Sequence, residues 1–129
     1  MVPVKLIMTP VEKIQSIDHD ETIRRASQLM RDHKIGCLLV KKDDGLGIVT
    51  ETDLTRRVMA EGMNPEETPI ERVMTTPILN IDTEATLLDA NDLMSEKGIR
   101  HLGVEKNGKL VGLISVRDLV KFLTKYPRQ

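Results

Sequence analysis

The chain has 129 residues, of which 40% are hydrophobic and 30% are charged, and its formal net charge is −1. This length allows one compact body that buries roughly two thirds of the surface exposed by the unfolded chain. The balanced charge and the presence of only two aromatic residues, Phe122 and Tyr126, weigh against a nucleic-acid-binding protein. The single cysteine excludes an internal disulfide.

The N-terminal residues Met1-Val2-Pro3-Val4-Lys5 are not followed by the apolar segment of a signal peptide. No apolar run approaches the roughly 20 residues that a membrane helix needs. We therefore expect a cytoplasmic protein that makes no membrane contact, with a core of Ile, Leu, Val and Met.

An internal repeat organises the chain. Residues 14–42 align with residues 78–106 without a gap, and the identical pairs include Ile17/Ile81, Asp18/Asp82, Thr22/Thr86, Ala26/Ala90, Leu29/Leu93, Met30/Met94, Ile35/Ile99 and Val40/Val104. After one extra residue in the second hairpin, Gly47, Thr50 and Asp53 align with Gly112, Ser115 and Asp118. The sequence predicts a first unit at 1–62, a linker at 63–69 and a second unit at 70–129.

The elements of the two copies follow the same order. In the first copy we predict an amphipathic piece at Val4–Thr9, a strand at Ile14–Ile17, a helix capped by Thr22, strands at Ile35–Val40 and Leu46–Val49, and a helix at Thr50–Glu61. In the second copy the corresponding predictions are Ile70–Thr75, Ile78–Ile81, a helix capped by Thr86, Ile99–Val104, Leu110–Ile114 and Ser115–Lys125. The fold class is thus mixed α/β, with two pseudo-symmetric β-α-β-β-α units that pack through their sheets.

The most informative motif is a hydroxyl residue followed three positions later by aspartate, Thr50-x-x-Asp53 and Ser115-x-x-Asp118. Both can be capping boxes, in which the hydroxyl and the acid satisfy amides at the start of a helix. Glu or Gln is the usual partner of the hydroxyl residue in a capping box, and the shorter Asp is expected to reach the amide less easily. A helix N-terminus with a hydroxyl can also bind phosphate, and a carboxylate one turn later can accept hydrogen bonds from a ribose diol.

With its tandem Ile-Asp starts, Thr-capped helices and Gly-h-h-[Thr/Ser]-x-x-Asp-Leu motifs, the chain resembles a stand-alone pair of cystathionine-β-synthase (CBS) domains, the Bateman module. The resemblance covers Val4 to about Lys125. It implies two clefts that hold adenosine-containing ligands such as AMP, ADP, ATP, S-adenosylmethionine or NAD, with or without Mg²⁺. It also implies a homodimer and an unidentified effector protein that receives the signal.

The resemblance assigns Thr50 and Asp53 to phosphate and ribose in one cleft, and Ser115 and Asp118 to the same roles in the other. The full set of implied ligand-binding residues is Ile17, Gly36, Cys37, Thr50, Asp53, Ile81, Arg100, His101, Ser115, Arg117 and Asp118. In this scheme each cleft takes residues from the opposite unit, and Ile17 and Ile81 line adenine.

The implied clefts are unequal. Arg100 and His101 would supply charge to the Asp53 cleft, whereas Gly36 and Cys37 would complete the Asp118 cleft, with Arg117 as a compensating cation. The sequence therefore predicts tighter nucleotide binding at the Asp53 cleft.

We interpret the cysteine, the histidines and the paired arginines as structural residues. Cys37 fits a packed thiol better than a reactive one, and the three histidines lack the spacing of zinc ligands, so we predict no metal site. Arg56 and Arg57 are interpreted as a solvated helix face. No nucleophile–base pair or catalytic residue is predicted.

Three other classes compete with the ligand sensor. The first is a structural or oligomerisation module without nucleotide, in which the hydroxyl–acid motifs are only caps. The second is a sensor of Mg²⁺ or another cation that uses Asp53, Asp118 and the acidic pairs Asp43-Asp44 and Glu66-Glu67. An enzyme acting on nucleotides ranks last, because the chain offers binding groups but no general base.

Overall fold

The structure is a computed structural model and describes residues 1–125. Its first half contains β1 (Thr9–Pro10), β2 (Ser16–Asp18), α1 (Ile23–His33), β3 (Cys37–Lys42), β4 (Gly45–Thr50) and α2 (Glu51–Asp53), which continues as a π-helix at Leu54–Met59. Its second half contains β5 (Asn80–Asp82), α3 (Leu87–Lys97), β6 (His101–Lys106), β7 (Lys109–Ser115) and α4 (Val116–Lys125). Short 3₁₀ helices lie at Val4–Leu6, Val11–Lys13 and Ile70–Arg72. The predicted mixed α/β fold and the β-α-β-β-α order of both copies are confirmed.

The helices α1 and α3 begin at a threonine N-cap and end at a residue in the left-handed conformation. The hydroxyls of Thr22 and Thr86 each accept a hydrogen bond from an amide in the first turn at 3.1 Å, which confirms both predicted N-caps. Each helix ends at a left-handed residue, Lys34 or Gly98. The following isoleucine amide then returns to the carbonyl of the last buried methionine at 3.0 Å. Because these isoleucines complete the helix ends, β3 and β6 begin two residues later than predicted.

The two hairpins differ by one residue, and the structure shows where it is accommodated. Both hairpins turn through two residues, with Asp43 and Asn107 at positive φ. In the first hairpin the register is continuous, whereas in the second the register shifts between Val104 and Glu105. The additional residue, Val111, is therefore taken up as a β-bulge and leaves the turn unchanged.

The chain divides into two compact units that do not follow the sequence repeats. One unit combines Met1–Ile14 with the chain from Leu79 onward, and the other is Gln15–Ile78. In the first, the Val4 amide donates to the Ala85 carbonyl at 2.7 Å, and β1 pairs with β7 in the sheet β1-β7-β6-β5. The opening segment of the first repeat thus lies in the unit of the second.

The unit Gln15–Ile78 repeats this arrangement around the sheet β2-β3-β4. The Ile70 amide donates to the Glu21 carbonyl at 2.7 Å, and Thr75 forms an antiparallel bridge with Ile48. Lys42 and His19 both contact one carboxylate oxygen of Glu71, at 2.8 and 3.2 Å. The hydrogen bond and charge of Lys42 hold the pKa of Glu71 below its ordinary value of 4.5.

Each unit has its own aliphatic core, as the composition predicts. In Gln15–Ile78 the buried cluster is Ile17, Ile23, Ala26, Met30, Leu38, Val40, Val49, Val58, Ile70 and Val73. In the other unit it is Val4, Ala90, Met94, Leu102, Val104, Ile114 and Leu119. Val4 and Ile70, from the opening segments of the two repeats, are fully buried in these cores. Among residues 1–125, no helix has the length and apolar character needed to cross a membrane.

Candidate functional site

The Thr50–Asp53 motif forms the corner where β4 becomes a helix. Thr50 is extended, with φ −128° and ψ 167°, and the helix begins at Glu51. Oδ2 of Asp53 accepts the Thr50 amide at 2.9 Å and the Thr50 hydroxyl at 3.2 Å. The hydroxyl oxygen in turn accepts the Asp53 amide at 3.4 Å. Both side chains are half-buried, so the motif is an ordered polar corner at the surface of its unit.

The Ser115–Asp118 motif has the same geometry at the start of α4. Oδ2 of Asp118 accepts the Ser115 amide at 2.8 Å and the Ser115 hydroxyl at 3.0 Å. The Asp118 amide donates to the hydroxyl oxygen at 3.2 Å. The two corners therefore present the same chemistry in two separate units.

These distances show that the expected short reach of Asp in a capping box is wrong. Asp53 and Asp118 reach the capping amides without difficulty, so the choice of Asp over Glu does not itself point to a ligand. Asp89 forms the same box with Thr86, at 2.9 and 3.1 Å. The two corners differ from the Thr86–Asp89 box in two ways. Their aspartates are half-buried, whereas Asp89 is exposed. Each corner also has an additional hydrogen bond from the hydroxyl to the carboxylate.

The other residues assigned to the ligand lie in both units. In Gln15–Ile78, the Gly36 carbonyl accepts the Glu51 amide at 3.0 Å, and Cys37 is the register partner of Thr50. Ile17 is buried on β2. Gly36 and Cys37 therefore flank the Thr50 corner of their own unit.

The second unit has a matching arrangement. The Arg100 carbonyl accepts the Val116 amide at 3.0 Å, and His101 is the register partner of Ser115. Ile81 is half-buried on β5 and pairs with Val104. Arg100 and His101 therefore flank the Ser115 corner. The predicted combination of residues from opposite units stays a prediction.

The charges next to the two corners differ. Arg100 precedes β6 and Arg117 occupies the second position of α4, and both side chains are exposed. The corresponding positions at the other corner are Gly36 and Thr52, and Glu51 begins its helix. Within each unit, charge thus favours an anion at the Ser115 corner. The predicted preference for the Asp53 cleft depends on the combination of opposite units and is likewise untested.

The prediction that Arg57 belongs to a solvated helix face is wrong. Its guanidinium donates to the Val73 carbonyl at 2.8 Å and to the Arg72 carbonyl at 3.3 Å. It lies one turn after Asp53, in the π-helix that replaces the predicted regular helix at Leu54–Met59. No local sequence signal indicates this role, because both carbonyls lie fifteen or sixteen residues further along the chain.

The part of the chain that the structure describes contains no assembled set of metal ligands. Among residues 1–125, no group of three or more His, Cys, Asp or Glu side chains converges as a metal site would require. Cys37 is half-buried beside the Thr50 corner. The chemistry of the corners is therefore that of carboxylates, hydroxyls and helix amides.

Comparison with known proteins relates this arrangement to one family. The family model for the CBS domain matches residues 4–60 and 70–125. An uncharacterised protein of Methanopyrus kandleri is 36% identical over 104 residues, which are 78% of this chain. The chain spans only 53% of that relative's length.

Two solved structures extend the comparison. A CBS-domain protein from Burkholderia ambifaria, named for a role in signal transduction, has a TM-score of 0.82 and 34% identity over 91% of this chain and 87% of its own. A hexameric CBS-CP12 protein from bloom-forming cyanobacteria has a TM-score of 0.80 and 28% identity over 100% of this chain and 76% of its own.

Proposed function

The chain belongs to the CBS-domain family as a tandem pair, and we propose that it is a regulatory module that senses adenosine-containing ligands. The ligands in question are AMP, ADP, ATP, S-adenosylmethionine and NAD, with or without Mg²⁺. The hydroxyl–acid corners Thr50–Asp53 and Ser115–Asp118 would hold their ribose and phosphate groups.

The observation that carries this proposal is the repeated geometry of the two corners. In each, the cap occupies only Oδ2 of the aspartate, and within residues 1–125 Oδ1 of Asp53 and Asp118 has no hydrogen-bond partner. An ionised carboxylate oxygen is a strong acceptor for the hydroxyls of a ribose. The amides at the second helix position, Thr52 and Arg117, would remain available to a phosphate.

Sensing follows from differential affinity. A ligand that binds one conformation more tightly than another shifts the population toward that conformation. A partner protein that recognises the favoured conformation would receive the signal.

The decisive experiment is calorimetric titration of dialysed, nucleotide-free protein with each of the five ligands, with and without Mg²⁺. We expect a Kd in the micromolar range for at least one ligand, corresponding to about −8 kcal/mol. Asp53→Asn or Asp118→Asn should weaken binding at least tenfold at the affected corner.

Asp89→Asn is the matched control, because Asp89 forms the same cap at a position outside both corners. All three substitutions should cost about 1 kcal/mol of cap stability, but only the corner variants should lose ligand affinity. Absence of heat with every ligand, or equal weakening by Asp89→Asn, would overturn the proposal. If Asp118→Asn weakens ligand binding and Asp53→Asn does not, the predicted preference for the Asp53 cleft is wrong.

The second candidate function is an oligomerisation module without nucleotide. It is favoured by the complete capping boxes, which account for the hydroxyls and acids without a ligand. The hexameric cyanobacterial relative supports self-association. We propose that this chain also self-associates, whether or not a nucleotide is bound. Stabilisation by Mg²⁺ alone would instead favour the cation sensor.

A further inference from the structure

The outer side of α1 borders a cavity of about 310 Å³ within the unit Gln15–Ile78. The residues that line it are Arg24, Ser27, Gln28, Arg31 and Pro65. The four lining residues of the helix have the spacing i, i+3, i+4 and i+7, which places them on one side of α1. None of the five belongs to a hydroxyl–acid corner. This cavity, named the α1 groove, is therefore a separate feature of the unit.

The segment 63–69 provides the second wall of the α1 groove and is held against the start of the helix. The amides of Ile23 and Arg24 donate to the carbonyls of Thr68 and Pro65, at 3.0 and 2.9 Å. The Arg25 amide donates to the hydroxyl of the N-cap at 3.1 Å. Because the first three helix amides are already paired, an anion in the groove must be bound by side chains.

Both arginines of the α1 groove retain donor nitrogens that no group in residues 1–125 occupies. Arg24 uses Nη1 to contact Oε1 of Glu66 at 3.0 Å, and Arg31 uses Nε to contact Oδ1 of Asp32 at 2.8 Å. The side-chain amide of Gln28 is half-buried and makes no hydrogen bond with the described residues. Two guanidiniums and one amide therefore offer unused donors to the same cavity.

Helix stability does not account for the basic start of α1. The N-terminus of a helix carries partial positive charge, so a cation there is unfavourable and an acid is favourable. The first turn of α1 contains Arg24 and Arg25 and no acid. In α3 the aligned residues are Leu88 and Asp89, and Asp89 completes a capping box. The fold can therefore be built without these arginines.

The other unit does not repeat the chemistry of the groove. At the four groove positions of the helix, α3 carries no cation, and the aligned residues are Leu88, Asn91, Asp92 and Ser95. The pair of arginines is therefore specific to one copy of the repeat, although both helices have the same length and the same N-cap residue.

The positions of the two arginines indicate the class of anion. Arg24 and Arg31 are seven residues apart, which is about 10 Å along the helix axis. A chain of linked phosphates presents oxygens along its length, so both side chains can reach it at once. Guanidinium binds phosphate oxygens through parallel N–H donors. Each arginine is already paired with a carboxylate, so a competing ligand needs more negative charge than one carboxylate supplies.

We propose that the α1 groove binds an oligophosphate chain, either free or as the phosphate tail of a nucleotide. Arg24 and Arg31 bind the two ends of the chain, and Gln28 donates to the oxygens between them. Glu66 competes with the ligand for Arg24. The site goes beyond the proposed nucleotide sensing at the corners and does not depend on it.

The test is amide NMR of the full chain titrated with inorganic tripolyphosphate at an ionic strength of about 0.15 M, where nonspecific attraction is screened. Each amide reports the affinity of its own site, so binding at the groove and at the corners is measured separately. The α1 amides should shift with a Kd below about 1 mM. Arg24→Gln and Arg31→Gln should each weaken this binding at least about fivefold. Both residues are exposed, and circular dichroism will show that the variants fold.

Arg25→Gln is the matched control, because Arg25 lies in the same turn as Arg24 and has the same charge but does not line the groove. It should change the Kd by less than about twofold, since screened charge alone has little effect. Glu66→Gln should tighten binding about two- to threefold, because it releases Nη1 of Arg24. Glu67→Gln removes the same charge without releasing a groove donor and should leave the Kd unchanged.

Titration with ATP identifies the source of the phosphate chain. Equal affinities of ATP and tripolyphosphate for the groove would support recognition of the chain alone, and tighter binding of ATP would support a nucleotide tail. Unshifted α1 amides with tripolyphosphate, or equal weakening by Arg25→Gln, would overturn the proposal. The corners report through their own amides, so a failure of nucleotide sensing there would leave these outcomes unchanged.

Discussion

At the residue scale, Gly47 and Gly112 explain why glycine precedes each hydroxyl–acid corner. A Cβ on Gly47 would lie 2.8 Å from Sδ of Met74 and 3.0 Å from the Thr75 carbonyl oxygen. On Gly112 it would lie 2.6 Å from Sδ of Met8 and 2.7 Å from the Thr9 carbonyl oxygen. Glycine is required at both positions because a neighbouring backbone segment approaches the strand too closely for a side chain. This close approach occurs on the strand that leads into the corner.

We expect Gly47→Ala and Gly112→Ala to lower the free energy of unfolding by about 1–3 kcal/mol, because a backbone oxygen cannot move away without breaking the strand pairing. The effect at Gly112 should be the larger. Urea denaturation measures both. Gly45→Ala is the control: its Cβ would lie 3.5 Å from the Lys42 carbonyl oxygen, an ordinary contact, and the substitution should be within about 0.5 kcal/mol of neutral. Equal effects at all three glycines would show that close approach is not the cause.

At the element scale, the helix after the Thr50 corner is connected to the segment that opens the second repeat. Arg57 donates to two carbonyls at the end of the 3₁₀ helix Ile70–Arg72. That segment continues to Thr75, which bridges to Ile48 on β4. One arginine and one bridge therefore attach the segment to both sides of the corner. The residue aligned with Arg57 is Phe122, so the other unit does not repeat this arginine contact.

Arg57→Met should destabilise the protein by about 1.5 kcal/mol, because it keeps the aliphatic stem but removes the charged donors from two carbonyls. Arg56→Met is the control. Arg56 is exposed, and no hydrogen bond or ion pair of its side chain occurs within residues 1–125. Its removal should change the free energy of unfolding by less than about 0.5 kcal/mol in the same denaturation assay. A larger loss from Arg56→Met would contradict the assignment.

At the scale of the whole molecule, the two repeats exchange their opening segments. Val4 belongs to the first repeat in sequence but to the core around α3 and β6 in space. Ile70 belongs to the second repeat in sequence but to the core around α1 and β3. Neither sequence repeat therefore contains all of the residues that complete its own core.

The exchange predicts crossed effects of two matched truncations. Val4→Ala should lower amide hydrogen-exchange protection in β5–β7 first, and Ile70→Ala should do so in β2–β4, each by at least about 2 kcal/mol of local opening free energy. Amide hydrogen exchange measured by NMR distinguishes the two sheets. If each truncation lowered protection in the sheet of its own sequence repeat, the inferred swap of opening segments would be wrong.

The order of elements was predictable because its signals are local. Thr22 and Thr86 mark helix starts, the periodicity of Ala and Met marks the buried helix faces, and the repeat makes each prediction twice. The hydroxyl–acid corners followed for the same reason, since a capping box lies within four residues. The contacts of Arg57 did not follow, because they depend on carbonyls that lie fifteen or sixteen residues further along the chain.

The sequence alone determined the family, the two copies, their elements and the paired corners of this protein. Only the tertiary structure decided which sheet each opening segment joins and where the extra residue Val111 is accommodated. The physical reason is that Val4–Thr9 and Ile70–Thr75 carry nearly the same apolar pattern and could pack equally well against either sheet by local criteria. Their assignment depends on long-range hydrogen bonds and close packing at Gly47 and Gly112, which no short stretch of sequence contains.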